Sequence, residues 1–104
     1  MRLADKIYDI TEKYPKQQLY ILVSQTQRSA LSIPSNIAEG HSRSTRKDYR
    51  QFLVIARGSL SEMETQIYLA AKRKFISSIE LNSIIEQSTT VGKMLNGLIR
   101  SLET

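Results

Sequence analysis

A chain of 104 residues with 15 Lys and Arg against 10 Asp and Glu has room for one hydrophobic core, and so for one domain spanning residues 1–104. It contains no cysteine, which excludes a disulfide framework and thiolate metal sites and suits a reducing compartment. No apolar run approaches the ~20 residues that cross a bilayer, and Met1 to Asp5 carries an acid where a signal peptide would be apolar, so the chain reads as cytoplasmic with no membrane partner.

Apolar residues recur at helical spacing almost throughout, with no period-two alternation, so the fold class is all-α. Leu3, Ile7, Ile10 and Tyr14 step by four and three until Pro15, which pushes the residue before it out of helical geometry and ends a short first helix. Leu19, Val23, Thr26, Ala30, Ile33 and Ile37 predict a second helix from about Gln17 to Glu39, with Gly40 as its stop. Pro34 lies inside it. A proline there removes one backbone donor and clashes with the Ala30 carbonyl, at about 3 kcal/mol or more unless the helix bends. A kink is therefore expected, with Ser32, Ser35 and Asn36 placed to satisfy the freed backbone groups.

Thr45 followed by Asp48 is a capping pair that opens a third helix. Tyr49, Leu53, Ala56, Leu60, Met63, Ile67 and Ala70 then hold a strict three-four repeat. Ser77 with Glu80 starts a fourth, whose seam is Leu81, Ile84, Ser88, Val91, Leu95, Leu98 and Leu102, with Ile76 and Leu81 as a staple. Short connections make neighbours antiparallel, which predicts an up-down four-helix bundle with a Pro-kinked second helix. Leu31, Phe52, Ile55, Ile85, Met94 and Ile99 fall outside these seams. They either widen the core stripes or form a subunit interface, and Gly58 beside Phe52 and Ile55 suits close approach of another backbone.

Positive charge is concentrated at the two ends of the third helix. Residues 41–57 hold Arg43, Arg46, Lys47, Arg50 and Arg57 against Asp48, a net of +4, and Lys72, Arg73 and Lys74 add +3. Such patches fit a polyanion partner. The first cluster is the stronger evidence, because cations at a helix N-terminus oppose its dipole, whereas Lys72, Arg73 and Lys74 sit where the dipole favours them. Free N–H groups near Thr45 would add to an anion site. Catalytic signals are weak: Glu39 and His41 have no nucleophile, second histidine or acid dyad near them, and a lone histidine with scattered acids gives no metal-ligand spacing. Glu39 reads instead as an ion-pair partner of Arg28 or Arg43. Tyr49 falls on the core seam, while Tyr8, Tyr20 and Tyr68 are expected to be partly exposed. No aromatic platform stands out, which points to backbone-dominated, sequence-tolerant binding.

The stretch SIPSNIAEG (Ser32 to Gly40), with RSTRKDYRQFLVIARGSLSEMETQI (Arg43 to Ile67) and GKMLNGLIRSL (Gly92 to Leu102), resembles a bacterial family of four-helix-bundle proteins encoded by intervening sequences in 23S ribosomal RNA genes. The likeness spans about Leu3 to Leu102. It implies a homopentamer with a basic surface; a distantly related branch serves as the accessory protein of diversity-generating retroelements, binding a reverse transcriptase and nucleic acid. Asn36, Glu39, Gly40, Arg43, Lys47, Phe52, Gly58, Glu62 and Glu64 match the pattern. Gln27 replaces the first of two basic residues, of which Arg28 is the second, Lys74 replaces a glycine that commonly ends the third helix, and the family's tryptophan-containing start is missing.

The expectation is a non-enzymatic oligomeric adaptor without cofactor or metal. It binds nucleic acid, in particular structured RNA, through Arg43, Arg46, Lys47, Arg50, Lys72, Arg73 and Lys74, and assembles through Phe52, Ile55 and Gly58. A reverse transcriptase or a ribosome-associated protein is a possible second partner. The alternative is a structural protein–protein interaction module with no nucleic-acid binding.

Overall fold

We describe the protein from a computed structural model whose described residues are 2–12 and 20–103. All regular structure among them is helical: α1 (Arg2–Thr11), α2 (Tyr20–His41), α3 (Arg46–Lys72) and α4 (Ser78–Ser101). The predicted break at Tyr14 and Pro15, and the expected start of the second helix at Gln17, lie outside the described residues. In α1 the four-three spacing buries Leu3, Ile7 and Ile10. The buried Thr11 at the last position of α1 donates its hydroxyl to the Ile7 carbonyl at 2.8 Å, and it accepts a hydrogen bond from Gln27 of α2 at 2.9 Å.

The predicted seam of α3 is the spine of the core: Leu53, Ala56, Leu60, Met63, Ile67 and Ala70 are all buried. Tyr49, which opens that seam, is half-buried. Ala30 and Ile33 of α2 and Ile84, Leu95 and Ile99 of α4 close around it. Each fully buried Leu or Ile side chain contributes about 1.5–3 kcal/mol, so the α3 seam carries much of the fold. Ser88, on the α4 seam, is fully buried as well; its hydroxyl donates to the Glu64 carboxylate, so a polar residue at a core position keeps its hydrogen bond.

Residue pairs fix how the helices lie. Along α2 and α3, Ser29 meets Gln66, Ser32 meets Ser59 and Gly40 meets Phe52, so residue numbers rise on one helix as they fall on the other. Along α3 and α4, Arg46 meets Ser101, Arg57 meets Asn96 and Glu64 meets Ser88 in the same opposed sense. α1 covers the remaining flank, touching both α2 and α4.

The helix starts are as the sequence predicts. The Thr45 hydroxyl accepts from the Asp48 N–H at 3.1 Å, and Ser77 and Glu80 form a complete capping box. The stops differ. Gly40 does not end α2, which continues to His41, and its φ is not positive. It is buried at a close crossing: a Cβ there would stand 2.8 Å from the Phe52 Cβ and 3.0 Å from the Tyr49 ring. Glycine is required for approach of two helices, not for a turn.

The stop of α3 is a Schellman motif built on a lysine. The Phe75 N–H reaches the Ala70 carbonyl and the Lys74 N–H the Ala71 carbonyl, both at 2.9 Å. Lys74 occupies the left-handed position between them at φ 64°, the one non-glycine residue with positive φ among the described residues. That conformation costs a residue with a Cβ about 1–2 kcal/mol.

Two opposite outcomes follow. Gly40→Ala should destabilise the protein by about 1–3 kcal/mol in urea unfolding, because overpacking outweighs the gain in helix propensity; a stabilised variant would mean the crossing is loose. Lys74→Gly should stabilise it by about 1 kcal/mol through relief of backbone strain, and a loss of similar size would place another interaction at that side chain.

Candidate nucleic-acid interface

The expected binding residues do not form one surface. α3 has 27 residues and is about 40 Å long, with Arg43, Arg46, Lys47 and Arg50 at its start and Lys72, Arg73 and Lys74 at its end. The two ends differ in what the cations already hold.

At the start of α3, three of the four cations are occupied. Arg43 pairs with Glu39 one turn before it on the chain and lays its guanidinium over the Phe52 ring, 4.7 Å from the centroid. Arg46 donates to the Ser101 carbonyl at 2.7 Å, and Arg50 to the Glu103 carboxylate at 2.9 Å. These arginines oppose the dipole of α3, but the C-terminal end of α4 lies beside them, and its Ser101 carbonyl is the one that Arg46 takes. A cation there is favourable to α4. The expectation that local stability gives no reason for these charges is therefore corrected, for a reason visible only when the two helix ends are side by side. Lys47 is exposed and has no side-chain partner among the described residues.

At the other end, Lys72, Arg73 and Lys74 are all exposed, with no side-chain partner among the described residues. Glu80, the next carboxylate along the chain, is turned to the Ser77 N–H. An open groove of about 430 Å³ lies between Lys72, Arg73, Leu69 and Phe75. Leu69 is 42% exposed, and Phe75 is partly buried against the core.

The three expected interface residues spread along α3. Phe52 is half-buried under Arg43, Ile55 is 51% exposed, and a Cβ at Gly58 would meet nothing within 4 Å. Leu31 and Met94, which the pattern left between core and interface, are exposed, whereas Ile99 belongs to the core. Tyr20 and Tyr68 are exposed and Tyr8 is partly so. Glu39 and His41 engage different partners: Glu39 holds Arg43, while the His41 ring sits edge-on to Tyr49 at 5.8 Å. No group of three His, Cys, Asp or Glu side chains among the described residues is placed to hold a metal ion, and no helix is long and apolar enough to cross a membrane.

Sequence reasoning missed a polar seam between α2 and α3. Ser29 donates to Gln66 at 2.8 Å, Ser32 and Ser59 share a hydrogen bond at 2.8 Å, and Asn36 donates to both the carbonyl and hydroxyl of Ser32. Asn36 thus serves the backbone of its own helix two residues past Pro34, the structural role its position suggested. A groove of about 390 Å³ opens on this seam, flanked by Arg28 and Glu62. The signal was present: Ser29, Ser32 and Asn36 on one helix and Ser59, Glu62 and Gln66 on the other both step by three and four, matching polar stripes that a search for apolar repeats passes over.

This geometry has known counterparts. The chain is similar to the crystal structure of a protein of unknown function from the S23 ribosomal protein family of Bacteroides thetaiotaomicron, with a TM-score of 0.85 and 28% identity over 94% of this chain and 92% of that one. None of the curated proteins matches it significantly. The family model described as 23S rRNA-intervening sequence protein matches residues 1–97, and neither description names an enzymatic activity. With four helices and a match over nearly its whole length, the chain belongs to the family of 23S rRNA-intervening sequence proteins.

Proposed function

We propose that the protein is a non-enzymatic adaptor that binds nucleic acid, structured RNA in particular, through the basic ends of α3. In this reading it is an up-down bundle with α2 bent at Pro34, it works in the cytoplasm, and it assembles as a homopentamer that repeats the basic ends around a ring. A reverse transcriptase or a ribosome-associated protein is the natural second partner. The observation that carries the reading is the clustering of exposed cations at the two ends of one long helix. Grooves lined by flexible cations suit a phosphate backbone, whose recognition depends on charge more than on shape.

Assembly has its own support. Ile55 is exposed on α3 and Leu31 on α2, and Ile55, Gly58, Glu62 and Thr65 follow one another by three and four along an exposed face of α3. An apolar residue and a glycine one turn apart on such a stripe fit a neighbouring helix. The same stripe favours the second reading, an interaction module that binds protein alone.

Two measurements separate these readings. Binding of a labelled RNA hairpin across a salt series should weaken with a log-log slope equivalent to several released counterions; flat or absent binding at low salt would leave only the protein-binding reading. Light scattering at micromolar concentration should give the mass of a pentamer, and a monomer mass would remove the ring.

A further inference from the structure

We infer that RNA phosphates are held at the C-terminal end of α3, by Lys72, Arg73 and Lys74 beside the groove lined by Leu69 and Phe75, while Arg43, Arg46 and Arg50 serve to close the opposite end of the bundle. The inference rests on the nucleic-acid-binding reading above and reverses the order of importance that the sequence assigns to the two clusters.

Three observations carry it. The first is occupancy. A phosphate arriving at Arg43, Arg46 or Arg50 must displace Glu39, the Ser101 carbonyl or Glu103 from its donor. At Lys72, Arg73 and Lys74 it displaces only water among the described residues. Local carboxylates act as competitors at one end, and the nearest chain neighbour at the other, Glu80, is committed to a helix cap.

The second is strain. Cations near a helix C-terminus are favourable to the dipole, which accounts for Lys72 and Arg73. It does not account for Lys74, which holds a left-handed backbone conformation that glycine would adopt freely. Two cations already serve the helix end, so the third adds little to stability and its backbone detracts from it. A residue kept in an unfavourable conformation where a better one is available points to a use for its side chain.

The third is shape. The groove of about 430 Å³ sets Lys72 and Arg73 beside the exposed Leu69, so a chain whose phosphates meet the cations can rest a sugar or an unstacked base against that side chain. The dipole of α3 opposes an anion at this end, but the Schellman hydrogen bonds occupy its last carbonyls and three full positive charges overlie them. The charges prevail.

The test compares two variants that each remove three positive charges, so that long-range electrostatics changes equally. Lys72→Gln/Arg73→Gln/Lys74→Gly should weaken binding of the labelled RNA hairpin by about tenfold or more and flatten its salt slope by about 2, with helicity and melting temperature unchanged or raised. Arg43→Gln/Arg46→Gln/Arg50→Gln should lower the melting temperature and change RNA affinity by less than about threefold. Equal losses, or the larger loss in the arginine variant, overturn the inference while leaving the nucleic-acid reading intact. Absence of binding by the unmodified protein instead overturns that reading and the inference with it. If the arginine variant does not fold, the lysine variant decides alone, since unchanged affinity there is fatal. Poly-glutamate as competitor should displace the RNA far less well per charge than unlabelled RNA does, and equal displacement would assign the surface to acidic protein and overturn the inference.

Discussion

The crossing of α2 over α3 is the contact on which the rest of the structure depends. Two long helices approach closely only where side chains are small, and here the small residues are distributed: Gly40 against Phe52 and Tyr49, and Ser32 against Ser59, with Ser29 reaching Gln66. The serines differ from alanines in requiring hydrogen-bond partners at burial, and each has one. The seam is therefore directional as well as close. A slip by one turn would break the Ser29–Gln66 and Ser32–Ser59 hydrogen bonds, so these polar pairs hold the register that apolar packing alone would leave softer.

That register in turn decides what the helix ends meet. The start of α3 is fixed beside the end of α4, and Arg46 and Arg50 become partners of Ser101 and Glu103, residues more than 50 positions away in sequence. Read along the chain, these arginines face an unfavourable dipole. In the folded bundle they face two helix termini of opposite sign, and the carbonyls of α4 offset the repulsion from α3. Exposed contacts of this kind are each worth about 0–1 kcal/mol, a cost that a phosphate arriving at these arginines meets and one arriving at Lys72, Arg73 and Lys74 does not.

Most of the fold was legible in the sequence because it rests on periodicity and caps, which are local. The α3 seam from Leu53 to Ala70, the Thr45 cap and the Ser77 capping box are all where the spacing puts them. What was not legible depends on a second helix. Gly40 reads as a stop because glycine commonly ends helices, and only the position of Phe52 reveals that the missing Cβ is what matters. Lys74 hides a left-handed cap because a lysine itself gives no sign of one; the hint was its standing where the resembling family commonly has a glycine. For the candidate site the residue types were legible and their states were not, since whether an arginine is free or already paired is a property of the folded surface.

The two halves of the proposed function, polyanion binding and assembly, are physically linked. Three cations at one end of α3 would contact about three phosphates, and for a single strand that would release about two counterions. Such a contact is weak at physiological salt. Its groove is open and shallow, so it can add little through enclosure or precise hydrogen bonding. A chain of this size cannot recover affinity by widening the surface, because its core leaves room for one helix end at each corner. Repetition is the remaining route: copies held at fixed spacing convert each later contact into an intramolecular one, with gains of about 10²–10⁴ when the ligand spans them. A basic end of this strength makes functional sense when several are presented together, and the exposed face around Ile55 and Gly58 is the kind of surface that would bring them together.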